Sequence, residues 1–415
     1  MRLLPHSIVA TLLAHLGGCG TESAPTASVP PPVAVQPATP LAAPPETSPV
    51  TTTSTPSVGA SSASGWQISR YDGRDYGFRS IAFDVNSRGP VFALMTRTGL
   101  LVGQLSGPLE EVTGTEPHLD LTRASVAFSY AQGGVPHAFF IDTARPGMAY
   151  ATRTDTAWNT EPVMEGEGLI LPRLAFDTTG SVHGVVVDMS TPSVTHVVRN
   201  QDGTWQTNIA ARFTALSAVS GIARDPRGIF WMAACATVET GSELSIFRLD
   251  ASASMIVGTF DQRCGGEGTL PSEFGFAFRP DGSAHLLVPI QAREGDALVH
   301  FSSTTDLAVS QAWGRIDVAS IEFGACESTL VLDTQGELHG AFTKHRSAFG
   351  EPSEIYYCAL ARDGWRIERI DENTQYRDVD APSLHMRQTS IALAVRGHLD
   401  ADDGPTIHLF QRPRR

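Results

Sequence analysis

A short pattern that recurs about every fifty residues from Ile81 onward constrains this chain more than anything else in it. An apolar strand leads into a turn holding glycine, and a second strand follows with a large ring near its start. The clearest copy is Leu174-Ala-Phe-Asp-Thr-Thr-Gly-Ser-Val-His-Gly-Val-Val-Val-Asp188. Six copies of the first strand align: Ile81-Ala-Phe-Asp84, Val126-Ala-Phe-Ser129, Leu174-Ala-Phe-Asp177, Ile222-Ala-Arg-Asp225, Phe276-Ala-Phe-Arg279 and Leu330-Val-Leu-Asp333. The turn glycines are Gly89, Gly134, Gly180, Gly228, Gly282 and Gly336, and three residues past them stand Phe92, His137, His183, Trp231, His285 and His339. Third strands follow at 148–152, 194–199, 244–249 and 355–360, and fourth strands carry Trp158, Trp205, Trp313 or Trp365.

Four short strands per repeat, with almost no sustained helical periodicity, predict an all-β chain built as a β-propeller of four-stranded blades. Such a unit cannot cover its own faces, and packing units around an axis does so. The segment Trp66-Gln-Ile-Ser-Arg-Tyr-Asp72 matches the fourth strand Trp365-Arg-Ile-Glu-Arg-Ile-Asp371. At the other end, 390–395 reads as a second strand and 406–411 as a third, with no Trp strand after them. With a degenerate first strand at 383–386 the count is seven blades, the last closed by the N-terminal strand, which leaves no long bare edge there.

Three segments follow. Residues 66–415 form the propeller. Residues 20–65 are Pro, Ser, Thr and Ala with no aromatic residue, and cannot bury enough apolar surface to offset ordering. They predict a flexible tether spanning roughly 40 Å. Residues 1–19 pair Arg2 and an apolar run with Leu16-Gly17-Gly18-Cys19, which resembles the lipobox of bacterial lipoproteins. The resemblance implies a signal peptide and a lipid on Cys19, with Gly20 rather than Asp after it implying retention at the outer membrane or cell surface.

A net charge of −14 disfavours a nucleic-acid partner. No apolar run after the N-terminus is long enough for a membrane helix. Of five cysteines, Cys19 goes to the lipid, and Cys235, Cys264, Cys326 and Cys358 remain, an even number in an exported chain. No C-x₂-C pair supports a zinc site. Local bridges Cys235–Cys264 and Cys326–Cys358 are the first expectation, and crossed pairing of Cys264 with Cys326 is the rival.

The pattern Asp-x-x-Gly-x-x-His, an aromatic-tipped third strand and then Trp resembles the BNR/sialidase-like repeats of exported bacterial propellers. Good copies are Asp333-Thr-Gln-Gly-Glu-Leu-His339 running on to Tyr356-Tyr-Cys358 and Trp365, and Pro136-His-Ala-Phe-Phe140 running on to Tyr150 and Trp158. The resemblance spans about residues 66 to 411 and implies a blade, with no particular reaction. The full Ser-x-Asp-x-Gly-x-Thr-Trp box and an Arg-Ile-Pro tripeptide are both missing, so sialidase activity is not implied.

A histidine repeated at one place in four units reads as a fold device, and Asp84, Asp177, Asp225 and Asp333 read as turn formers. Asp400-Ala-Asp-Asp-Gly404 is a solvated turn, because Gln411 stands where a calcium loop needs its twelfth ligand. Arg79, Arg123 and Arg173 precede first strands, where guanidinium groups grip carboxylates. Long loops on the same predicted rim bring in Lys344, His345, Arg346, Phe349, Tyr376, Arg377 and His398, a set of cations and aromatics suited to sugars or acidic groups. Tyr376 with Glu273 is a candidate nucleophile and base. No residue is assigned as catalytic, and no metal or cofactor is expected.

These readings predict a monomeric, lipid-anchored envelope module that binds a glycan or a protein without catalysis. The alternative is a carbohydrate-active propeller, either glycosidase or polysaccharide lyase.

Overall fold

The computed structural model describes residues 57–58, 65–72 and, short segments apart (113–124 is the longest), 80–414. All of these lie in the second of the two units into which the chain divides, Pro49–Arg415. The expected segments 1–19 and most of 20–65, Cys19 among them, lie outside the described residues.

The described elements are all strands, arranged as six hydrogen-bonded sheets. Four sheets, at 80–111, 126–165, 169–212 and 326–369, are four-stranded antiparallel meanders in chain order. A ten-stranded sheet covers 216–321, and a six-stranded one joins Ser57–Val58 and Gln67–Asp72 to the C-terminal strands. The arrangement is propeller-like, but seven separate sheets are not what the hydrogen bonds make. Two meanders fuse because Leu216–Ser220 runs parallel to Ser272–Phe278, in register from Ala218 opposite Ser272 to Ser220 opposite Phe274.

First strands pack side by side in chain order, and Ser383–Met386 returns to lie against Ser80–Asn86. Asp84 joins both neighbours of its strand. Its Oδ2 accepts from Ser129 Oγ and Tyr130 N, both at 2.9 Å, and His385 Nδ1 lies 3.3 Å from Oδ1. Adjacent sheets approach closely enough to demand glycine: a Cβ on Gly275 would meet the Leu330 backbone at 2.5 Å, and one on Gly184 would meet Phe139 at 2.7 Å.

Gln67–Asp72 pairs antiparallel with Thr406–Pro413, Gln67 opposite Gln411 and Asp72 opposite Thr406. Trp66 is fully buried among Tyr357, Ile370, Leu393 and Phe410. Its Nε1 donates to Glu368 Oε1 at 3.1 Å, and Arg412 lies 4.5 Å from the centres of both the Trp66 and Tyr357 rings while its NH1 donates to Glu368 Oε2 at 2.6 Å.

Cys235 and Cys264 form a disulfide. It ties the 230–238 strand to Arg263–Cys264, which pairs with Ala284–Gln291 in the other half of the ten-stranded sheet. The expected bridge from Cys326 to Cys358 does not exist, since Cys358 is a buried free thiol. The register explains this. Cys326 is opposite Lys344, whereas Cys358 is level with Gly340 and, beyond it, Leu330. Two strand spacings and four residues of rise separate the pair by about 16 Å, far beyond disulfide reach.

Candidate functional site

The repeated aspartates build turns. Asp177 Oδ1 accepts from Thr179 N and Ser181 N, both at 2.8 Å, and Asp225 and Asp333 do the same for the residues two and four ahead. Gly180, Gly228 and Gly336 adopt φ of +84°, +88° and +80°, which a side chain would oppose. The second oxygen meets the ring six residues on: His339 Nε2 at 3.2 Å from Asp333 and Trp231 Nε1 at 3.3 Å from Asp225, with His183 looser at 3.7 Å from Asp177. Despite some burial, those hydrogen bonds hold Asp177 down at about 2.

The repeated imidazoles then reach across their own sheet. His183 stacks on His196 with Nδ1 3.1 Å from Nε2, and His285 on His300 at 3.0 Å. His137 bonds the Tyr150 hydroxyl, and His339 bonds that of Tyr357 at 2.5 Å. Burial lowers His137, His196 and His300 to about 4 and His285 to about 3. Asp333, Glu337 and His339 also bring ligand atoms within 4.8 Å of one another, but Asp333 Oδ2 is already held by His339 and Arg414. This group completes a turn.

Of the rim residues expected to meet a ligand, Arg79, Arg123, His345, Arg346, Phe349 and Arg377 lie outside the described residues, as do Asp400 to Gly404. His398 ends the strand Ser390–His398 opposite Asp378, and its side chain is likewise outside the description. Lys344 ends the strand Leu338–Lys344, opposite Glu354. Arg173 is not an open guanidinium: its NH2 lies 2.7 Å from Glu273 Oε1, on a first strand beyond the neighbouring one. That pair occupies Glu273 too. Tyr376 is fully buried, edge-on to His408 at 4.7 Å, in the apolar cluster that holds Trp66. Burial of Tyr376 against His408 and the ion pair of Glu273 with Arg173 leave neither open to act as the expected nucleophile and base.

A group that the sequence reading did not single out sits at the Lys344 end of the 326–369 sheet. Arg369 donates from NH1 to Glu354 Oε1 at 2.6 Å and from Nε to Asp371 Oδ1 at 2.8 Å. The Tyr356 hydroxyl donates to Glu354 Oε2 at 2.7 Å, and the Tyr356 ring stacks on Phe342. Tyr356 is directly opposite Arg369, and the alternation Glu354-x-Tyr356 puts both side chains on the Lys344 face. Asp371 is fully buried, with no hydrogen bond to Oδ2, and burial raises it to about 6 despite Arg369. Burial and the Glu354 carboxylate hold Tyr356 neutral. Two carboxylates thus share one guanidinium, and one of them, Asp371, takes up its proton at about 6, well above the usual carboxylate range. The only trace in the sequence was the spacing Glu354-x-Tyr356 and Arg369-x-Asp371.

A second feature is an open groove of about 900 Å³ along the outer hairpin of the 126–165 sheet, running from Asp142 and Arg145 to Glu165 and Glu167.

No family model matches this chain, and no curated protein does. Solved structures do, at low identity. An oligogalacturonate lyase in complex with manganese is 10% identical, with a TM-score of 0.53 over 87% of this chain and 96% of that one. An ulvan lyase of polysaccharide lyase family PL25 is 7% identical, with a TM-score of 0.52 over 86% and 94%. The polysaccharide lyase Uly1 is 10% identical, with a TM-score of 0.50 over 80% and 89%. At such identity the likeness is one of fold, and the fold is that of a β-propeller.

Proposed function

We propose that this protein is a seven-bladed β-propeller held at the bacterial outer membrane or cell surface by a lipid on Cys19, where it binds a glycan or an envelope protein without cleaving it. The seven blades are the four separate meanders, the two halves of the 216–321 sheet, and the sheet completed by Gln67–Asp72. The observation that carries the binding reading is the commitment of the recurring polar groups. Asp177, Asp225 and Asp333 are bonded to their own turns, the imidazoles to cross-strand partners, and Arg173 to Glu273. A scaffold that consumes its repeated groups this way leaves recognition to its loops.

A second reading, a carbohydrate-active enzyme, is favoured by one specific observation. Asp371 titrates near 6 beside Glu354 and Tyr356, within the range that general acid–base catalysis uses. It also fits the fold neighbours, two named as polysaccharide lyases and one as an oligogalacturonate lyase.

The test is a glycan array and a polysaccharide-degradation screen on the fragment beginning at Gly65. The binding reading expects retention on a glycan or envelope fraction, with no new chain ends, and unchanged retention for Asp371→Asn. Release of oligosaccharides that Asp371→Asn abolishes would establish the enzyme instead. Anchoring is checked by fractionation: the full chain partitions with membranes, and Cys19→Ser becomes soluble.

A further inference from the structure

We propose that the turn at Asp333 binds a first-row divalent metal ion such as zinc, and that the ion takes the place of the Arg414 guanidinium. Such a site would serve a binding module and an enzyme alike. Asp333, Glu337 and His339 each offer one ligand atom, and these atoms lie within 4.8 Å of one another. Asp333 Oδ2 and His339 Nε2 are 3.2 Å apart, close to the roughly 3.3 Å that separates two ligands of a tetrahedral zinc ion. One imidazole and two carboxylates are donors that such an ion accepts, with water as the fourth ligand.

The turn holds each donor in place. Asp333 Oδ1 accepts from Gln335 N at 2.7 Å and from Glu337 N at 2.8 Å, so Oδ2 is the oxygen left to meet a cation. The Glu337 carbonyl accepts from Asp333 N at 3.0 Å, which fixes the Glu337 backbone from both sides while the residue stays exposed. His339 is held from behind: its Nδ1 is 2.5 Å from the Tyr357 hydroxyl, which can donate to one tautomer of the ring and accept from the other. The second tautomer carries its proton on Nδ1 and turns the Nε2 lone pair toward Asp333, as ligating histidines do. Neither of the other turns built on Asp177 and Asp225 assembles this set. Ser181 stands in the place of Glu337 in the first, and Ile229 and Trp231 replace Glu337 and His339 in the second.

A cation from outside the turn already sits on this oxygen. Arg414, 81 positions further along the chain, donates from NH2 to Asp333 Oδ2, and its NH1 donates to Thr334 Oγ1 at 3.1 Å. The Asp333 side chain has no exposed surface, and a carboxylate buried to that degree needs a positive partner. Arg414 supplies it from just beyond the closing strand Thr406–Pro413, so the guanidinium can leave with the strand pairing intact. Two cations on one buried carboxylate oxygen repel each other. The ion and Arg414 therefore compete, and each weakens the other by the same factor.

The experiment titrates zinc into the full chain carrying Cys19→Ser by calorimetry, with magnesium and calcium beside it. Zinc is expected to bind, whereas magnesium and calcium, which favour sites made of oxygen alone, are not. Glu337→Gln, at an exposed position, should weaken zinc about tenfold or more, with an unchanged melting temperature in metal-free buffer. Arg414→Ala should tighten zinc about fivefold or more, the low end of the usual range for coupled sites. By reciprocity, zinc should speed hydrogen exchange at the Arg414 amide, which donates to Thr389 O at 2.9 Å, and should do so less in Glu337→Gln. No zinc binding by the parent chain overturns the proposal, and so does binding that Glu337→Gln leaves unchanged. Zinc affinity that Arg414→Ala leaves unchanged or weakens overturns it as well, because the guanidinium would then not be the ion's competitor.

Discussion

Two junctions in this molecule use the same clasp and are tied together differently. Between the 126–165 and 169–212 sheets, Glu161 accepts from Trp205 Nε1 at 3.0 Å and from Arg199 Nε at 2.8 Å, with Arg199 lying 5.6 Å from the centre of the Tyr150 ring. Between the 326–369 sheet and the closing sheet, Glu368, Trp66, Arg412 and Tyr357 repeat those roles. Both tyrosine hydroxyls are hydrogen-bonded to Nδ1 of their sheet's repeated histidine, and both are raised to about 12 by burial. In the first junction Arg199 and Trp205 are six residues apart in one hairpin. In the second, Arg412 and Trp66 come from opposite ends of the chain. Local connectivity holds the first clasp together, whereas the second must be held by its own contacts. The closing Trp is correspondingly more enclosed: Trp66 is fully buried and Trp205 half-buried.

Breaking the closing clasp is the largest effect expected. Beginning the chain at residue 74 removes Trp66 and the strand paired with Thr406–Pro413, and should leave an aggregating or unfolded product. Beginning it at Gly65 removes only the two-residue pairing of Ser57–Val58 and should be nearly neutral. Trp66→Ala should cost about 3–5 kcal/mol, the usual range for emptying a fully buried Trp site, and Trp205→Ala clearly less. Chemical denaturation of the two variants measures the difference. Equal losses would mean that chain connectivity contributes nothing at the continuous junction.

Acid should load every junction at once. His137, His196 and His300 titrate at about 4 and His285 and His408 at about 3, all lowered first by burial. The unfolded chain binds protons on these groups near 6.5, so it takes up more protons than the folded chain as pH falls from there toward 4. Stability is therefore complete above about pH 6.5 and drains below it, by about 1 kcal/mol per isolated imidazole at pH 5.5 and by less within the coupled His285–His300 pair. His408, with neither nitrogen hydrogen-bonded, sits in the strand that pairs with Gln67–Asp72. Hydrogen exchange at pH 5 should thus show Thr406–Pro413 losing protection before Gly147–Arg153. The reverse order would separate acid sensitivity from the closing junction.

A third kind of junction is covalent. Cys235–Cys264 links the halves of the ten-stranded sheet across a separation of 29 residues, and Cys235→Ala with Cys264→Ala should cost about 3 kcal/mol. Alkylation of denatured, unreduced protein should modify Cys358 and spare Cys235 and Cys264. Burial raises the Cys358 thiol, so it should resist alkylation until the chain unfolds.

How much of this the sequence could reveal depends on the range of each interaction. The strands, the glycine turns and the role of Trp66 are local patterns repeated several times, so each copy supports the others. The Cys235–Cys264 pairing was legible because both residues flank one meander. The Cys326–Cys358 expectation failed because membership of one sheet does not give register. The partners of Arg173 and Tyr376 were not legible for a related reason. Glu273 and His408 lie about a hundred and about thirty residues away, and nothing periodic connects them. The groups at Glu354 and Asp371 lie on one strand of a sheet and just past the end of its neighbour, where alternation marks a shared face but not which groups touch.

The smallest expected effect gives the sharpest comparison of the two clasps. Glu161→Gln and Glu368→Gln keep the shape of the side chain and an oxygen that can accept from the Trp, so each removes mainly the charge on which its arginine depends. Glu161 and Arg199 are each about a third exposed, at 34%, whereas Glu368 and Arg412 are 29% and 21% exposed. The more exposed pair is screened by water, and its loss should fall within about 0–1 kcal/mol. The closing pair is drier, and its Arg412 lies against two edge-to-face rings rather than one, so Glu368→Gln should cost more, about 1–2 kcal/mol. A double-mutant cycle with Arg199→Met at one junction and Arg412→Met at the other isolates the two pair energies. Raising the salt should narrow the gap only slightly, because the closing pair lies deeper. If the two pair energies are equal, the closing clasp is no stronger than its continuous counterpart, and closure must then rest on the buried Trp66 and the paired strands alone.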